Sequence, residues 1–358
     1  MTSAPNASQP NVPDHERNGW ELKSKAVRAT RDRMFHGLCI VVALLCVVAL
    51  GWLLRSVVRQ GWQFISETAE KRMTMDDGTK QSYAASLYET GANFVTAEPS
   101  RRPEKCGIGP ALMGSLWVCV ACMLMSLPLG VGTAILLEEY KPKKQWLRKA
   151  HGFVQLNITN LAGVPSIVYG ILGLTAFVEM FEIFGVANDP YFWIGSKENW
   201  YYFQLPLGRG VLAGALTLML VVLPIVIIST QESLRAVPKS LREGALAVGA
   251  TKWQMVRRMT LPAAIPGIMT GSILALSRAI GEAAPMMVIA GIVYITFTPK
   301  HLMDQFTVMP LQIYDWAGRP QRGFGDVAAA GILVLLGVLL TFNAVAVFIR
   351  QKFHRSVT

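Results

Sequence analysis

Two opposite charges inside one long apolar stretch are the residues of this sequence best placed to do chemistry. Arg278 and Glu282 lie four positions apart within residues 262–295, where most neighbouring side chains are apolar or small. A charge at the bilayer centre costs about 2.5 to 3.5 kcal/mol on insertion scales, so both side chains need compensating contacts. If the stretch is one helix, this spacing puts them on the same face.

Two interpretations of this pair are open from the residues alone. In the first, Arg278 and Glu282 form an ion pair that neutralises both charges and packs against neighbouring helices. In the second, Arg278 lines a substrate pathway and its guanidinium fork binds an anion. Glu282 then orients the fork and weakens its attraction, so that the anion is released.

A second segment combines charged, small and proline residues between two apolar stretches, and we call residues 231–262 the elbow. Pro238 is well placed as the first residue of a short helix. Gly249 can end that helix in the left-handed conformation that glycine adopts freely. The elbow is therefore predicted to be a rigid, capped element, and the alternative is an ordinary loop between helices.

The composition indicates the surroundings in which these segments work. Hydrophobic residues make up 52% of the 358 residues and charged residues 16%, which is more apolar surface than one soluble core hides. A helix needs about 20 apolar residues to cross a bilayer. The stretches of that length are residues 34–54, 111–137, 153–177, 210–231, 262–295 and 327–349. We therefore predict an all-α fold, a polytopic membrane helical bundle of about six transmembrane helices in a lipid bilayer.

The distribution of lysine and arginine predicts the orientation of the bundle. Basic residues are concentrated before the first span and after the second, fourth and sixth. By the positive-inside rule these segments, the elbow among them, face the cytoplasm, and so do both termini. The net charge of +11 thus reflects membrane orientation and does not indicate a nucleic-acid partner.

These observations divide the chain into five segments. Residues 1–33 are predicted to be a disordered cytoplasmic tail, since the first residues are rich in Pro, Ser, Asn and Ala and cannot bury apolar surface. Residues 34–58 form a first transmembrane anchor and residues 59–110 an external, periplasmic loop. Residues 111–350 form a core of five transmembrane helices that contains the elbow, and residues 351–358 form a cytoplasmic tail.

No catalytic or cofactor motif accompanies these segments. The histidines are scattered singly, and the cysteines lie mostly within apolar spans, so no zinc-ligand spacing occurs. The pattern G-x-x-x-x-G-K-[ST], which cradles ATP phosphates, is absent from the sequence. The prediction is therefore a protein that is not an enzyme and has no metal or cofactor. If ATP powers it, a separate subunit binds the ATP.

The elbow resembles the EAA loop of ATP-binding cassette (ABC) importer permeases. The family pattern E-x-A, then glycine, an apolar position and Leu-Pro, falls on Glu243, Ala245, Gly249, Met259, Leu261 and Pro262. Gly244 stands where the family has its first alanine, and Met259 where it has isoleucine. The resemblance implies that these coupling residues, Gly244 included, belong to a coupling helix seated in a cleft of a cytoplasmic ATPase.

Four further runs closely resemble the phosphate-specific ABC transporter permeases of the PstA type. They are residues 130–140, 163–170, 241–250 and 276–285, within a resemblance that extends over about residues 107–350. It implies the type I importer permease fold in a bacterial inner membrane, half of a phosphate pathway, and alternating access. With this resemblance, the pathway interpretation of Arg278 and Glu282 is preferred.

The resemblance also implies the partners of the chain. They are a PstC-like second permease subunit, two PstB-like ATP-binding subunits and a PstS-like periplasmic phosphate-binding protein. Two alternatives stay open. One is a permease for another oxyanion, such as sulfate or molybdate. The other is a membrane scaffold or signalling component that keeps the fold without conducting.

Overall fold

The computed structural model describes residues 14–355, except residues 76–82, 184, 187–188, 191, 197–198, 200 and 292–293. The described chain is mostly helical, as predicted. Its helices are α1 (Asp14–Met75), α2 (Tyr83–Thr96), α3 (Gly109–Glu139), α4 (Gln145–Leu161), α5 (Ser166–Gly173), α6 (Val211–Ala236), α7 (Lys239–Ala247), α8 (Lys252–Met255), α9 (Leu261–Gly281), α10 (Ala284–Ala290), α11 (Met309–Gly318) and α12 (Phe324–Arg355).

Shorter elements connect these helices. Tight 3-10 turns occupy Pro103–Lys105 and Met180–Glu182, and π-helical turns occupy Leu174–Val178 and Val256–Thr260. Two small antiparallel hairpins pair β1 (Gly185–Val186) with β2 (Asp189–Pro190) and β3 (Phe192–Ile194) with β4 (Phe203–Leu205).

Five of the described helices are long and apolar enough to cross a membrane, and the number is six if one bent pair of helices forms a single span. They are Arg31–Glu70, Gly109–Glu139, Val211–Ala236, Lys252–Gly281 and Phe324–Lys352, together with the bent pair Gln145–Leu161 and Ser166–Glu182. The predicted number of about six spans is confirmed.

The chain divides into two compact units, Met1–Val57 and Val58–Thr358. In the first unit, the apolar side chains of α1 are exposed, including Leu50 at 68% and Trp52 at 70%. Such a surface suits contact with lipid. This part of α1 therefore fits the predicted anchor.

The helix α1 nevertheless extends beyond both predicted ends of that anchor. It includes residues 14–33, predicted as a disordered tail, and residues 59–75, predicted as part of the external loop. Residues 21–33 contain no glycine or proline. Adding residues to an existing helix costs little, because the unfavourable nucleation step has already been made. Residues 1–13 lie outside the described residues, and disorder there stays a prediction.

The third predicted span, residues 153–177, is broken. α4 ends at Leu161 and α5 begins at Ser166, and the two parts of this span are bent by 109°. Pro165 is the N-cap of α5. Proline lacks the N–H that would continue the preceding helix, and it disfavours a helical conformation in the residue before it. The expectation of one continuous helix is therefore wrong.

The fifth predicted span, residues 262–295, is also interrupted. α9 ends at Gly281, and Glu282 follows with φ −80° and ψ 108°, before α10 begins. Pro285 explains the interruption, because in a continuous helix its ring would clash with the carbonyl of Gly281. The expectation that this whole stretch forms one helix is wrong.

Helices α3, α6 and α9 form the centre of the second unit. Small residues allow them to approach closely. A Cβ added to Gly130 would lie 2.6 Å from Cγ1 of Val226, and one added to Gly271 would lie 2.1 Å from Oγ of Ser229. Close backbone approach at small residues is the usual packing mode of membrane helices. Buried apolar side chains from all three helices fill the remaining space.

A second apolar cluster lies at the end of α3 farthest from the elbow. α2 and the start of α3 pack there against α11 and α12. Phe94, Trp316 and Phe324 are buried, and the rings of Phe94 and Trp316 are 6.2 Å apart between centroids. The predicted external loop thus contains a helix that packs against the bundle.

The five cysteines of the chain form no disulfide. Cys119 and Cys122 are buried in α3, within the central cluster, where a thiol acts as a small apolar group. Cys106 is buried before α3. Burial raises the pKa of the Cys106 thiol, while the N–H of Ser100, 3.4 Å from Sγ, lowers that pKa to a smaller extent. Since the thiolate is the nucleophile, this thiol is poorly reactive.

Candidate functional site

Arg278 lies in the last turn of α9. Gly271 of α9 faces Ser229 of α6. Because the two helices run antiparallel, the step along α9 from Gly271 to Arg278 corresponds to a step back along α6 from Ser229 to Val222. Val222 is close to the centre of the 26-residue α6. The Arg278 charge therefore lies level with the middle of α6.

Arg278 and Glu282 meet, but not on one helical face as expected. Nε of Arg278 is 3.5 Å from Oε2 of Glu282. Glu282 is the residue after α9, and its backbone is extended. The contact is an ion pair, longer than an ordinary hydrogen bond of about 2.7–3.2 Å. Within the described residues, Nη1 and Nη2 of Arg278 donate no hydrogen bond.

The Arg278 side chain projects from the surface of the chain. It is 44% exposed, whereas the Glu282 side chain is 15% exposed. Leu274, one turn earlier on α9, is 64% exposed. Another side of α9 packs against α12, where the Ser277 hydroxyl donates to Oδ1 of Asn343 at 2.7 Å. The exposed side of α9 thus presents a positive charge beside an exposed apolar side chain.

The elbow contains a short helix closed by a Schellman motif. Pro238 is the N-cap of α7 and not, as predicted, its first residue. At the other end, Gly249 has φ 82° and its N–H donates to the Leu246 carbonyl at 3.0 Å. The N–H of Ala250 donates to the Ala245 carbonyl at 3.1 Å. This pair of bonds defines the motif, and the predicted left-handed cap at Gly249 is confirmed.

The other residues that the sequence predicts for coupling divide into an exposed and a packed set. Glu243 and Gly244 are exposed, and a Cβ added to Gly244 would meet nothing within 4 Å. Ala245 is 8% exposed and packs against α8 and the turn after it. Leu261 and Pro262 open α9 and are half-buried, with Leu261 packed against the central helices. The alanine-sized methyl of the family pattern would therefore fit at Gly244.

Four large apolar side chains of the elbow are exposed, with Met259 the least at 38%, and we call the other three the elbow face. They are Leu246 at 48%, Val248 at 85% and Trp253 at 56% exposure. Exposed apolar residues in a charged connection between spans are typical of a protein contact. The elbow face is thus a candidate docking surface beside the exposed Glu243.

Contacts that sequence reasoning missed fix the elbow to the end of α3. Nη2 of Arg242 is 3.0 Å from Oε1 of Glu139, and Nζ of Lys252 is 4.8 Å from the centre of the Tyr140 ring. Arg242 and Glu139 are 103 positions apart, so no helical or strand spacing pairs them. The one signal in the sequence is the run 130–140, whose last three residues are Glu-Glu-Tyr.

The two parts of the site offer different chemistry. Arg278 and Glu282 offer a guanidinium fork with one nearby carboxylate, and the elbow offers a capped docking surface. In the part of the chain that the structure describes, no three His, Cys, Asp or Glu side chains are grouped to hold a metal ion.

The sequence matches a known family over most of its length. Residues 117–357 match the family described as binding-protein-dependent transport system inner membrane component. The match begins within α3, so α1 and α2 precede it. The probable ABC transporter permease protein YqgI of Bacillus subtilis is 30% identical over 277 residues, which cover 74% of this chain and 85% of that protein.

Several of the relatives carry names that mention a substrate. The phosphate transport system permease protein PstA of Yersinia pestis is 30% identical and covers 73% of this chain, with 79% of that protein matched. The phosphate transport system permease protein PstC of Mesorhizobium japonicum is 30% identical, over 74% of this chain and 73% of that protein.

One solved structure, of the MetNI methionine ABC transporter in an inward-facing conformation, has a similar fold. Its TM-score to this chain is 0.50 at 16% identity, over 68% of this chain and 94% of that one. At that identity the likeness concerns the fold alone, which is the importer permease fold expected from the sequence.

Proposed function

The chain belongs to the family of binding-protein-dependent transport system inner membrane components, and from this premise we propose that it forms half of the translocation pathway of an ATP-driven phosphate importer. It is a membrane permease component of an ABC importer. The observation that carries the phosphate proposal is the exposed guanidinium of Arg278, which lies level with the middle of α6 and has one carboxylate beside it.

The position of Arg278 supports a pathway role. A guanidinium that faces lipid at mid-span would cost about 2.5 to 3.5 kcal/mol on insertion scales. If this side of α9 faces a second permease subunit across a hydrated pathway, that cost is avoided. Charged residues inside membrane bundles generally mark such pathways.

The geometry of the pair suits a tetrahedral oxyanion. The closest approach of Glu282 to Arg278 is to Nε, so both terminal nitrogens keep donors for an anion. A guanidinium binds phosphate oxygens in a bidentate manner. Glu282 limits the net positive charge, which favours release of the anion.

Glu282 also supports phosphate over sulfate or molybdate. At neutral pH, phosphate carries at least one P–OH group that can donate a hydrogen bond to a carboxylate. Sulfate and molybdate carry no proton under these conditions, so a nearby carboxylate only repels them. Permeation of another oxyanion stays the second candidate function, because the Arg278 fork by itself binds any of the three.

The elbow supports coupling to a separate ATPase. Family membership implies ATPase and substrate-binding partners, and we propose that they are two PstB-like ATP-binding subunits and a PstS-like phosphate-binding protein. A PstC-like permease completes the pathway. ATP would bind only to the ATPase subunits, which contact the elbow face and Glu243. The exposed Leu246, Val248 and Trp253 would bury their apolar surface in that contact.

This arrangement has a definite orientation. We place the chain in a bacterial inner membrane with the elbow and both termini in the cytoplasm, as the basic residues beside the spans predict. The anchor of residues 34–58 and the segment 59–110 would then precede the core permease, with residues 59–110 including periplasmic structure.

Reconstituted transport tests the proposal. The complete complex in proteoliposomes, with ATP on the ATPase side and binding protein on the other, should accumulate labelled phosphate. A hundredfold excess of sulfate or molybdate should leave that uptake unchanged, and unlabelled phosphate should suppress it. Competition by sulfate would favour the second candidate function. ATP-independent binding without uptake would indicate the scaffold alternative.

A further inference from the structure

The end of α3 is attached to the coupling helix α7 by one ion pair. Nη2 of Arg242 lies 3.0 Å from Oε1 of Glu139, and Nε of Arg242 donates to the same oxygen at 3.1 Å. The two side chains are only 19% and 8% exposed. A pair with this burial is held in one geometry, unlike the mobile ion pairs of protein surfaces.

Arg242 also closes the end of α6. Its Nη1 donates to the carbonyl of Val237 at 2.9 Å, and its Nη2 donates to the carbonyl of Leu234 at 2.6 Å. Both carbonyls belong to the end of α6, and the Leu234 carbonyl also accepts from the N–H of Val237 at 3.2 Å. One side chain on α7 thus joins the ends of α3 and α6.

Two further contacts hold the elbow against the same end of α3. Nζ of Lys252 lies 4.8 Å from the centre of the Tyr140 ring, a cation–π distance. Ala245 and the start of the π-helical turn form a small buried cluster against Ile135 and Tyr140. The elbow is therefore packed against α3 in addition to its covalent connection to α6.

The neighbouring glutamate provides a contrast. Glu138 pairs with Arg235 at 2.8 Å and with Lys141 at 3.1 Å. Both partners are more than half exposed, and neither belongs to α7 or α8. Adjacent carboxylates on α3 thus have separate partners, and only Glu139 contacts the coupling helix.

We propose that Glu139 and Arg242 are positioning residues that convert a displacement of α7 into movement of α3 and α6. This inference rests on the proposed function, in which α7 contacts the ATPase. Without the ion pair, only the small cluster at Ala245 and the contact of Lys252 with Tyr140 would hold the elbow to α3, so α7 could shift relative to α3. With it, both helices follow α7, and α6 packs directly against α9, which carries Arg278.

The coupling ratio, phosphate transported per ATP hydrolysed, tests this role in the reconstituted complex. Glu139→Gln removes the charge but leaves the carbonyl contacts of Arg242 in place, and Glu138→Gln is the matched control. We expect Glu139→Gln to lower the ratio about five- to tenfold, within the usual range of coupling between sites, with ATP hydrolysis maintained. Glu138→Gln should stay within about twofold of the unmodified complex.

A double-mutant cycle separates positioning from folding. Arg242→Gln should lower the ratio at least as much as Glu139→Gln, and the double variant should be no worse than Arg242→Gln alone, because the contact is already lost. Arg242→Lys, which keeps the charge, should recover part of the ratio. If the complex with Arg242→Gln does not assemble, the coupling ratios of Glu139→Gln and Glu138→Gln still test the positioning role.

The possible failures are distinguishable. Equal ratios for Glu139→Gln and Glu138→Gln, or additive losses in the double variant, would overturn the positioning role while leaving phosphate import intact. A complex of unmodified chains that hydrolyses ATP without phosphate uptake would instead contradict the proposed function.

Discussion

Replacement of Gly249 by valine should weaken ATPase docking without disturbing the membrane spans. Gly249 has φ 82°, and a residue with a Cβ atom costs about 1–2 kcal/mol in this region. A Cβ at this position would meet nothing within 4 Å. The penalty therefore arises from the backbone conformation and not from a clash.

The size of the effect follows from the cap. If valine escapes the left-handed conformation, the bonds from the N–H groups of Gly249 and Ala250 open, and each contributes about 0.5–1.5 kcal/mol. We expect a loss of about 2 kcal/mol in either case. If the ATPase binds only the capped conformation of α7, its affinity for the permease would be about 30-fold lower, since 1.4 kcal/mol is a factor of ten.

The assay is a titration of the ATPase onto the permease pair in nanodiscs. Gly249→Asn is the matched control, because asparagine adopts the left-handed conformation at lower cost. It should bind within about threefold of the unmodified chain, whereas Gly249→Val should show the full loss. Equal affinities for valine and glycine would refute the reasoning, and so would an equally large loss for asparagine.

Three other perturbations have definite expected outcomes. Gly244→Ala should stabilise α7 by up to about 1 kcal/mol and leave phosphate uptake unchanged, because the added Cβ would meet no neighbour. Reduced uptake would show that the docking surface excludes the methyl group. Gln231→Leu breaks the paired amide bonds to Gln155, 2.7 and 3.0 Å long, and should lower the unfolding free energy by about 0.6–1.7 kcal/mol. The double replacement with Gln155→Leu should be less destabilised than the sum of the single changes, and full additivity would speak against the pair. A reporter fused after Thr358 should be active only in the cytoplasm and one inserted at Arg101 only outside, and the reverse pattern would overturn the orientation.

Local rules predicted the features that depend on a few neighbouring residues. Gly249 was identified as a left-handed cap because glycine is the residue that adopts this conformation at the end of a helix. The spans followed from uninterrupted apolar length. Both features depend on short segments of sequence and so could be predicted without knowledge of the packing.

The breaks in the spans could have been predicted but were not. Pro165 and Pro285 lie inside the stretches 153–177 and 262–295, and apolar length alone does not register their effect on the backbone. As a result, Glu282 was expected within a helix, although it follows the end of α9. The prediction of these spans follows apolar length, and the helix-breaking effect of the two prolines is not part of that criterion.

Long-range polar contacts could not be predicted from one sequence. Glu139 and Arg242 are brought together only when α3 and α6 pack, 103 positions apart in the chain. No periodicity specifies which of two adjacent glutamates faces the elbow. That choice depends on the rotation of α3 about its axis, which the packing against α6 determines.

The most direct test of the central claim is ATP-dependent phosphate uptake by complexes that carry changes at Arg278 and Glu282, compared at equal amounts of assembled complex. If Arg278 contacts phosphate, Arg278→Gln should abolish uptake, and the double replacement by glutamine should remain inactive because the guanidinium is missing. Arg278→Lys should retain partial uptake, since it keeps the charge without the bidentate geometry. Full uptake by the double variant would contradict the account and make the pair a structural contact of α9.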